Sequence, residues 1–575
     1  MSILRVDTLV PFTNGSTTIT STALLNATAS HALTASYIVG GGGGGSVATT
    51  GSTLYSTDPV AGPGFNNTDS IFLGDQAGNS ATNAIESNFI GYRSGAVATN
   101  ACYSNFIGSC SGIGATNSNR SNFIGLAAGR YATNSSYSNF LGYGAGQCAT
   151  NACESNFLGH NAGACATSAI SSNFIGRQAG CCAINASDSN FIGSNTGNAA
   201  TNANNSNFIG TQSGFYATNA NNSNFIGESA GFLAQSANNS NFIGTQSGFY
   251  ATNANNSNFL GKSAGYEATN AKHSTFSGYY AGFRATNAYY STFSGYCAGL
   301  CATNSGYSNF IGAQAGYSAT DASNSNFLGN AAGLYAANAC FSNFLGGNAG
   351  NLATNACCSN FLGYNAGYQA TNACYSTFAG SYSGYKATNA FNSTFSGYYA
   401  GADATNAYNS NFFGLFAGRQ AINASNSNFI GSQAGLFAAS ASFSTLIGYN
   451  TGASSPGAPG ISSNNVIIGT NITLPKGVKD SINLGGIIFA TGSYSNTATI
   501  AFSGSAGGRV GINKVAPTQA LDVNGSALIS DVLVLPYQSP LPLGRPTGSI
   551  ATSGSGATFA GIYLYNGTSW VKVSV

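Results

Sequence analysis

The sequence carries very little charge for its length. Only 5% of its 575 residues are Asp, Glu, Lys or Arg, whereas an average soluble domain carries about 25%. The formal net charge is +2, so electrostatics gives no reason to expect binding to nucleic acid or to an anionic membrane. The composition therefore predicts no nucleic-acid partner.

Long apolar runs are also missing. No stretch approaches the roughly 18 consecutive apolar residues of a membrane-spanning helix. The amino terminus, MSILRVDTLVPFTNGSTT, has no basic segment followed by an apolar run of the kind found in secretory signals. We therefore expect that the protein does not insert into a membrane. We also expect that it is synthesised in the cytoplasm.

Residues that carry catalysis or bind metals are scarce and scattered. The three histidines, His31, His160 and His273, fall in different contexts, and the acidic residues occur singly. No carboxylate pair suits glycosidase chemistry, and no calcium loop or phosphate-binding glycine loop is present. The sequence predicts no cofactor, no metal and no enzymatic activity.

Thirteen cysteines are present, an odd number that cannot pair completely within one chain. They lack CxxC spacing. We interpret them as free thiols that act as small apolar residues, with a disulfide framework as the alternative.

What the sequence has instead is a short tandem repeat. With the Ser of SNFIG as position 1, a 17-residue unit runs without insertion or deletion from Ser70 to Ser444, giving 23 copies. Its consensus is S-N-F-I-G-x-x-A-G-x-x-A-T-N-A-x-x. Ser at position 1 and Gly at positions 5 and 9 never vary, and position 3 is Phe in 22 copies, from Phe72 to Phe429, and Leu446 in the last. Such a fixed period predicts a repeat architecture.

The repeat is too short for a propeller blade or a pair of helices, which need roughly 30 to 45 residues. It suffices for one coil of parallel β-structure, with a strand at positions 1–4, a second near positions 11–15, and glycines at positions 5 and 9 that permit positive φ. The predicted fold class is all-β: a parallel β-solenoid (β-roll) of 17-residue coils, each stabilised by its neighbours.

Positions 3 and 4 point to opposite faces of the first strand, and both are apolar. Position 3 hardly varies, so we assign it to an internal ladder. Position 4 accepts Ser277, Ser294 and Ala379, so we assign it to a looser face between chains. Burial on both faces predicts self-association, most simply as a homotrimer. The predicted core ladder includes Phe89, Phe106, Phe123, Phe208, Phe225 and Phe242.

Charge and tyrosine fall mainly at the predicted turns. Charged residues in the array occupy positions 6, 7, 10, 11, 16 and 17, with Asp321 at position 14 as the exception. The turn tyrosines form either a glycan-binding edge or a solubilising surface, and the second interpretation is the plainer one. They include Tyr216, Tyr250, Tyr279, Tyr280 and Tyr296.

The flanks suggest five regions. They are an amino-terminal attachment segment (1–39), a glycine-rich hinge and lead-in (40–69), the solenoid (70–452), degenerate coils and a transition (453–505), and a small β-rich end domain (506–575). In the last, GIYLYNGTSWVKVSV predicts a hairpin with a type I′ turn at Asn566-Gly567. Tyr563, Tyr565 and Trp570 there are candidate receptor contacts, although alternate residues of a hairpin are as often core.

Two family resemblances follow from these motifs. SNFIGxxAGxxAT resembles the head repeats of trimeric autotransporter adhesins of the YadA type, which implies a trimeric left-handed β-roll for the array. SILRVDTLVPFTNGSTTIT at the amino terminus, RVGINKVAPTQALDVNGS (509–526) and LYNGTSWVKV resemble segments of bacteriophage tail-fibre proteins, especially those of marine phages. This second resemblance implies attachment to a virion through the amino terminus and recognition of a host-surface glycan or protein.

Three functions are compatible with these sequence features. The first is a virion fibre, a phage tail fibre or appendage, made in the host cytoplasm. The second is a bacterial cell-surface adhesin or filament, which would be extracellular. The third is an ice-binding solenoid built on the Thr-Asn ladder at positions 13 and 14, which Ile184, Gln235 and Ile422 interrupt.

Overall fold

The computed structural model describes residues 47–50, 53–56, 69–456, 460–491, 509–528, 541, 545, 547–555 and 558–574. In these ranges the regular structure is entirely β, and no helix is present. The described residues accordingly contain no helix with the length and hydropathy to cross a membrane. The predicted attachment segment (1–39), the glycines at 40–45 and most of a proline-rich stretch at 535–548 lie outside the described residues.

Short strands recur at the repeat period. The strands are β1 Val47–Thr50, β2 Thr53–Ser56, β3 Ile71–Leu73, β4 Asn88–Ile90, β5 Asn105–Ile107, β6 Asn122–Ile124, β7 Asn139–Leu141, β8 Asn156–Leu158, β9 Asn173–Ile175, β10 Asn190–Ile192, β11 Asn207–Ile209, β12 Asn224–Ile226, β13 Asn241–Ile243, β14 Asn258–Leu260, β15 Thr275–Ser277, β16 Thr292–Ser294, β17 Asn309–Ile311, β18 Asn326–Leu328, β19 Asn343–Leu345, β20 Asn360–Leu362, β21 Thr377–Ala379, β22 Thr394–Ser396, β23 Asn411–Phe413, β24 Asn428–Ile430, β25 Thr445–Ile447, β26 Asn465–Ile468, β27 Ser481–Leu484, β28 Ile488–Thr491, β29 Arg509–Ile512, β30 Leu521–Val523, β31 Ile550–Ser555, β32 Thr558–Tyr565 and β33 Trp570–Ser574.

One parallel sheet runs the length of the array. The antiparallel pair β1–β2 leads into it, because β2 pairs in parallel with β3. From β3 to β25 each strand pairs in parallel and in register with the next, as Phe208 does with Phe225. β26 and β27 continue the parallel order, whereas β28 and β29 are antiparallel additions and β30 pairs in parallel with β29. The predicted parallel β-solenoid of 17-residue coils is confirmed.

Each coil contains more turn and less strand than expected. The first strand covers positions 2–4 only, and the second strand predicted near positions 11–15 is wrong. That side holds an isolated parallel bridge at position 13, such as Thr201 with Thr218. The physical reason is that positions 11 and 14 have left-handed φ, 52° at Tyr216 and 51° at Asn219, and an extended strand cannot contain such residues.

Left-handed residues allow every coil to bond to both of its neighbours. In addition to the glycines, positions 7, 11, 14 and 17 have φ near that of Gln212, 58°. The N–H of Gln212 donates to the carbonyl of Ser194 in the preceding coil at 2.9 Å, whereas the N–H of Gly214 donates to Ala230 in the following coil at 2.8 Å. Left-handed backbone costs about 1–3 kcal/mol per non-glycine residue, and these paired backbone groups offset that strain.

The interior is a single column of phenyl rings surrounded by small residues. Every position-3 Phe from Phe72 to Phe429 is fully buried, and consecutive ring centroids lie 4.5 to 5.3 Å apart. A Cβ at Gly214, position 9, would overlap the Phe208 ring. A Cβ at Gly210, position 5, would lie 2.6 Å from the carbonyl oxygen of Gly227. Steric exclusion, in addition to positive φ, therefore explains why neither glycine varies.

The invariant serine at position 1 forms a buried polar column beside the rings. Ser223 is fully buried. Its Oγ donates to the carbonyl of Ala237 at 2.6 Å and accepts from the N–H of Ser240, one coil later, at 3.1 Å. The hydroxyl thus satisfies backbone groups at the corner where one coil passes into the next.

The carboxyl-terminal sheet of β31, β32 and β33 is antiparallel. The predicted hairpin is present, but the predicted type I′ turn is wrong. Of the two central residues only Gly567 has positive φ, 98°, whereas type I′ requires it at both. The Asn566 side-chain oxygen instead accepts from the N–H groups of Thr568 and Ser569 at 3.0 and 2.8 Å. The connection is a four-residue loop organised by that asparagine.

Candidate interaction surfaces

The outer face of the short strands forms an uncharged surface along the array. Side chains at positions 2 and 4 project together, opposite the buried Phe. The position-4 column is mainly aliphatic and partly exposed, with Ile209, Ile226 and Ile243 at 38%, 36% and 40%. No copy of the repeat has a charged residue at position 2 or 4. This surface is called the outer strand face below.

The polar half of the outer strand face is already hydrogen bonded. The Asn207 side-chain amide donates to that of Asn224 at 2.8 Å, and the same bond recurs along the column. Because these amides bond to one another, burying them against a partner leaves few polar groups unsatisfied.

A second amide ladder follows position 14. Asn202 donates to Asn219 at 2.9 Å. Asn304 donates to the carboxylate of Asp321 at 2.6 Å, which accounts for the exceptional charged residue at this position. The adjacent threonine column is interrupted, for example at exposed Ile184. The threonine column on this side is therefore discontinuous.

Aromatic side chains form stacked columns at the turns. From Phe215 to Phe283, position 10 carries five rings with centroids 4.8 to 5.2 Å apart and planes within 8° of each other. Tyr216 packs edge-on against Phe215 at 4.5 Å, and Tyr279 stacks on Tyr296 at 5.5 Å. Edge-on contacts also involve Tyr250 and Tyr280. The rings in the middle of the position-10 column are covered on both faces by their neighbours, whereas Tyr216 and Tyr296 at the edges of the turns remain 49% and 55% exposed.

All thirteen cysteines are free thiols, and several share a register. Cys340, Cys357 and Cys374 occupy position 16 of successive coils, and the sulfurs of Cys357 and Cys374 lie 2.8 Å apart. Burial, followed by hydrogen bonding to Cys357, raises the pKa of Cys374 to about 11. Burial and the adjacent Cys182 raise the pKa of Cys181 to about 12.

The three candidate receptor-contact residues lie on the carboxyl-terminal sheet. Tyr565 is only 5% exposed, and its ring lies 5.2 Å from that of Trp570, its cross-strand partner. Tyr563 lies two residues earlier on the same strand and, like Trp570, is half-buried. The pair Tyr565–Trp570 therefore packs as part of the sheet, and Tyr563 and Trp570 keep more accessible surface than Tyr565.

The opposite face of this sheet is aliphatic and more exposed, which the sequence reasoning missed. Ile550, Leu564 and Val571 are 60%, 38% and 49% exposed. The register places Leu564 between the other two, opposite Ile550 on one side and Val571 on the other. The alternation of apolar residues along β32 was the available signal, but it does not reveal which face is covered.

The two described histidines pack against aromatic rings of the following or preceding coil. His160 stacks on Tyr143 and His273 on Tyr290, with centroids 4.9 and 4.6 Å apart, while His31 lies outside the described ranges. Across the described chain no group of three or more His, Cys, Asp or Glu side chains is placed to hold a metal ion.

Comparison with protein-family models, with curated proteins and with solved structures gives no match.

Proposed function

We propose that this chain is a structural, non-enzymatic fibre protein of a virion, a phage tail fibre or related appendage, that assembles as a homotrimer and recognises the host surface. The observation that carries the proposal is the unbroken rod of 23 coils in one registered sheet. At about 4.8 Å per coil the array is roughly 110 Å long. A rod of this kind separates its two ends by a fixed distance.

The ends support a virion fibre over the alternatives. The amino-terminal segment and the stretch at 509–526 resemble those of phage tail fibres, so we assign virion attachment to the first 39 residues. The carboxyl-terminal sheet then meets a glycan or protein receptor, with Tyr563 and Trp570 as the more accessible aromatic contacts. The likeness of the repeat to YadA-type heads keeps a bacterial surface adhesin as the second candidate.

The outer strand face supports self-association. It is roughly 110 Å long and, with three strand residues, about 10 Å wide, so each chain offers on the order of 1,000 Å². A stable interface buries about 800 Å² per partner. The face is also uncharged, and its position-4 column is Ile or Leu in 18 of the 23 coils, so identical chains can match it in register. We place this face towards the axis of the trimer.

Sedimentation equilibrium tests the trimer. The chain mass is 57.8 kDa, so the expected mass is about three times that value. Replacing Ile209, Ile226 and Ile243 by Lys should dissociate or misassemble the trimer, because it introduces charge into the outer strand face. The matched control replaces Thr211, Glu228 and Thr245, turn residues of the same coils, by Lys and should leave the mass unchanged. A wild-type chain that stays monomeric at micromolar concentration would refute this assembly.

Immuno-electron microscopy tests the virion assignment. Gold-labelled antibodies against the array should decorate appendages on virus particles from the culture that supplies the gene. Labelling of the cell envelope without labelling of particles would reject the virion assignment and favour the bacterial adhesin.

A further inference from the structure

The thiol column at position 16 is the cysteine cluster with the closest sulfur contact. Cys340, Cys357 and Cys374 belong to three consecutive coils. The Cys357 and Cys374 sulfurs are 2.8 Å apart, whereas those of the sequence neighbours Cys181 and Cys182 are 3.7 Å apart. Shared register and the side-chain geometry at this turn therefore place two thiols from residues 17 apart in direct contact.

The backbone geometry suits a covalent bond between these sulfurs. Adjacent coils of a parallel sheet are about 4.8 Å apart, within the range of about 4.4 to 6.8 Å over which disulfides join Cα atoms. Both side chains are half-buried at the turn, so a small oxidant can reach them. Position 16 accepts Ser, Asn, Tyr and Lys elsewhere in the array, so its side chain has room to adjust.

We propose that Cys357 and Cys374 form a coil-to-coil disulfide when the folded protein meets a low-molecular-weight disulfide such as oxidised glutathione. The thiolate of one cysteine attacks a glutathione sulfur, and one glutathione leaves as a thiol. The thiolate of the other cysteine attacks the mixed disulfide and releases the second glutathione. Each cysteine gives up one proton, the protein pair is oxidised, and one glutathione disulfide is reduced to two thiols.

The bond closes one coil of the solenoid on its successor. It restricts the unfolded chain across a 17-residue loop and leaves the folded register unchanged, so oxidation stabilises this segment against unfolding. The array therefore contains a redox-sensitive disulfide between adjacent coils. This proposal holds whether the rod belongs to a virion or to a cell surface.

The experiment is oxidation of the full-length folded protein followed by peptide mapping. The purified, fully reduced protein is incubated with oxidised glutathione at about pH 8.5, where more thiol is ionised. It is then alkylated and cleaved after aromatic residues. The first cross-linked peptide to accumulate should join Cys357 to Cys374. A first link between another pair, or persistent free or glutathione-bound Cys357 and Cys374, would overturn the proposal.

Substitutions at two adjacent cysteines distinguish the Cys357–Cys374 disulfide from oxidation at other cysteines. Cys357→Ser removes the central thiol, and the two remaining position-16 cysteines are then two coils apart and cannot pair. Cys358→Ser removes the exposed neighbouring thiol and should leave the link intact. Both serines are natural here, because Ser136 occupies position 16 and Ser171 position 17. Oxidation should raise the denaturation midpoint of Cys358→Ser as it does that of the wild type. An equal rise in Cys357→Ser would refute the assignment.

Discussion

The interior and the turns of one coil follow opposite sequence rules. Position 3 is Phe in 22 of the 23 copies, and each of these rings is fully buried. Position 11 of the same coil accepts Val97, Tyr131, Glu267 and Phe437, yet it has a left-handed φ of 52° to 58° at all four. The backbone is thus as regular at the turns as in the core, although the side chains there are not.

The difference shows that the inward-facing residues determine the backbone conformation of the coil. The turn residues adopt that conformation whatever their side chains are. Val97 is β-branched and would avoid the left-handed region in an isolated peptide, but two flanking ladders of backbone hydrogen bonds hold it there. Turn side chains are therefore free to vary without altering the path of the chain. Function can change on the surface while the rod is preserved.

The largest expected effect comes from breaking the register between successive coils, which places both the interior and the turn residues. Deleting Ser206–Asn239 removes two whole repeats and joins Asn205 to Ser240 in phase. This protein should fold, assemble and measure roughly 10 Å shorter, from two strand spacings. Deleting residues 206–238 instead should abolish assembly, because the junction coil gains one residue and can no longer place both of its ends in register. Sedimentation and electron microscopy distinguish the two. Equal behaviour would show that register does not define the rod.

The next effect compares one core ring with one turn ring. Phe225 lies between Phe208 and Phe242 with centroids 4.7 Å away on each side. Phe225→Ala should cost about 3–5 kcal/mol of unfolding free energy, because it leaves a cavity in the column. Tyr216→Ala, at an exposed turn, should change it by no more than about 0.5 kcal/mol. Urea denaturation measures both, and similar shifts of the midpoint would remove the distinction between the regions.

Much of this architecture was predictable from the repeat, because a 17-residue period leaves few choices. Invariant Phe next to variable Ile indicated which strand face is internal, and the two glycines marked positions of positive φ. The degenerate motifs NVIIG (465–469) and SINLGG also occur as strands of the continuing parallel sheet. These features depend on residue size and spacing, which a sequence states directly.

The left-handed turns at positions 7 and 11 were not predictable, because residue preference does not signal them there. At position 14 the consensus Asn was an available signal, since Asn is enriched in the left-handed region. Tyr216 and Gln212 do not favour positive φ by themselves, and only pairing with both neighbouring coils selects it. The left-handed residues at positions 11 and 14 also exclude the second strand that was predicted near positions 11–15. The contact between Cys357 and Cys374 required the side-chain geometry in addition to their shared register. Which face of the carboxyl-terminal sheet is exposed also depends on packing.

A smaller effect concerns hydroxyls inside the coil. Ser223→Ala should cost about 1–3 kcal/mol, because it leaves the carbonyl of Ala237 and the N–H of Ser240 without this partner in a buried site. Ser213 is also buried, and its Oγ donates to the carbonyl of Phe225 at 2.6 Å. Ser213→Ala should cost less, since Ala is the commonest residue at position 8. Equal losses of unfolding free energy in urea denaturation would mean that the invariant serine at position 1 stabilises the coil no more than the serine at position 8 does.

The smallest effect is expected from charge at the turns. Arg284 Nε donates to a carboxylate oxygen of Glu267 at 2.7 Å, and the two side chains are 58% and 36% exposed. Exposed ion pairs contribute little to stability because water and salt screen them. Glu267→Gln should therefore leave the urea midpoint unchanged within error at both low and high salt, and Gln is found at position 11 elsewhere, at Gln369. A clear, salt-dependent loss of stability would mean that turn side chains also help to fix the coil, and the contrast between interior and turns would then need revision.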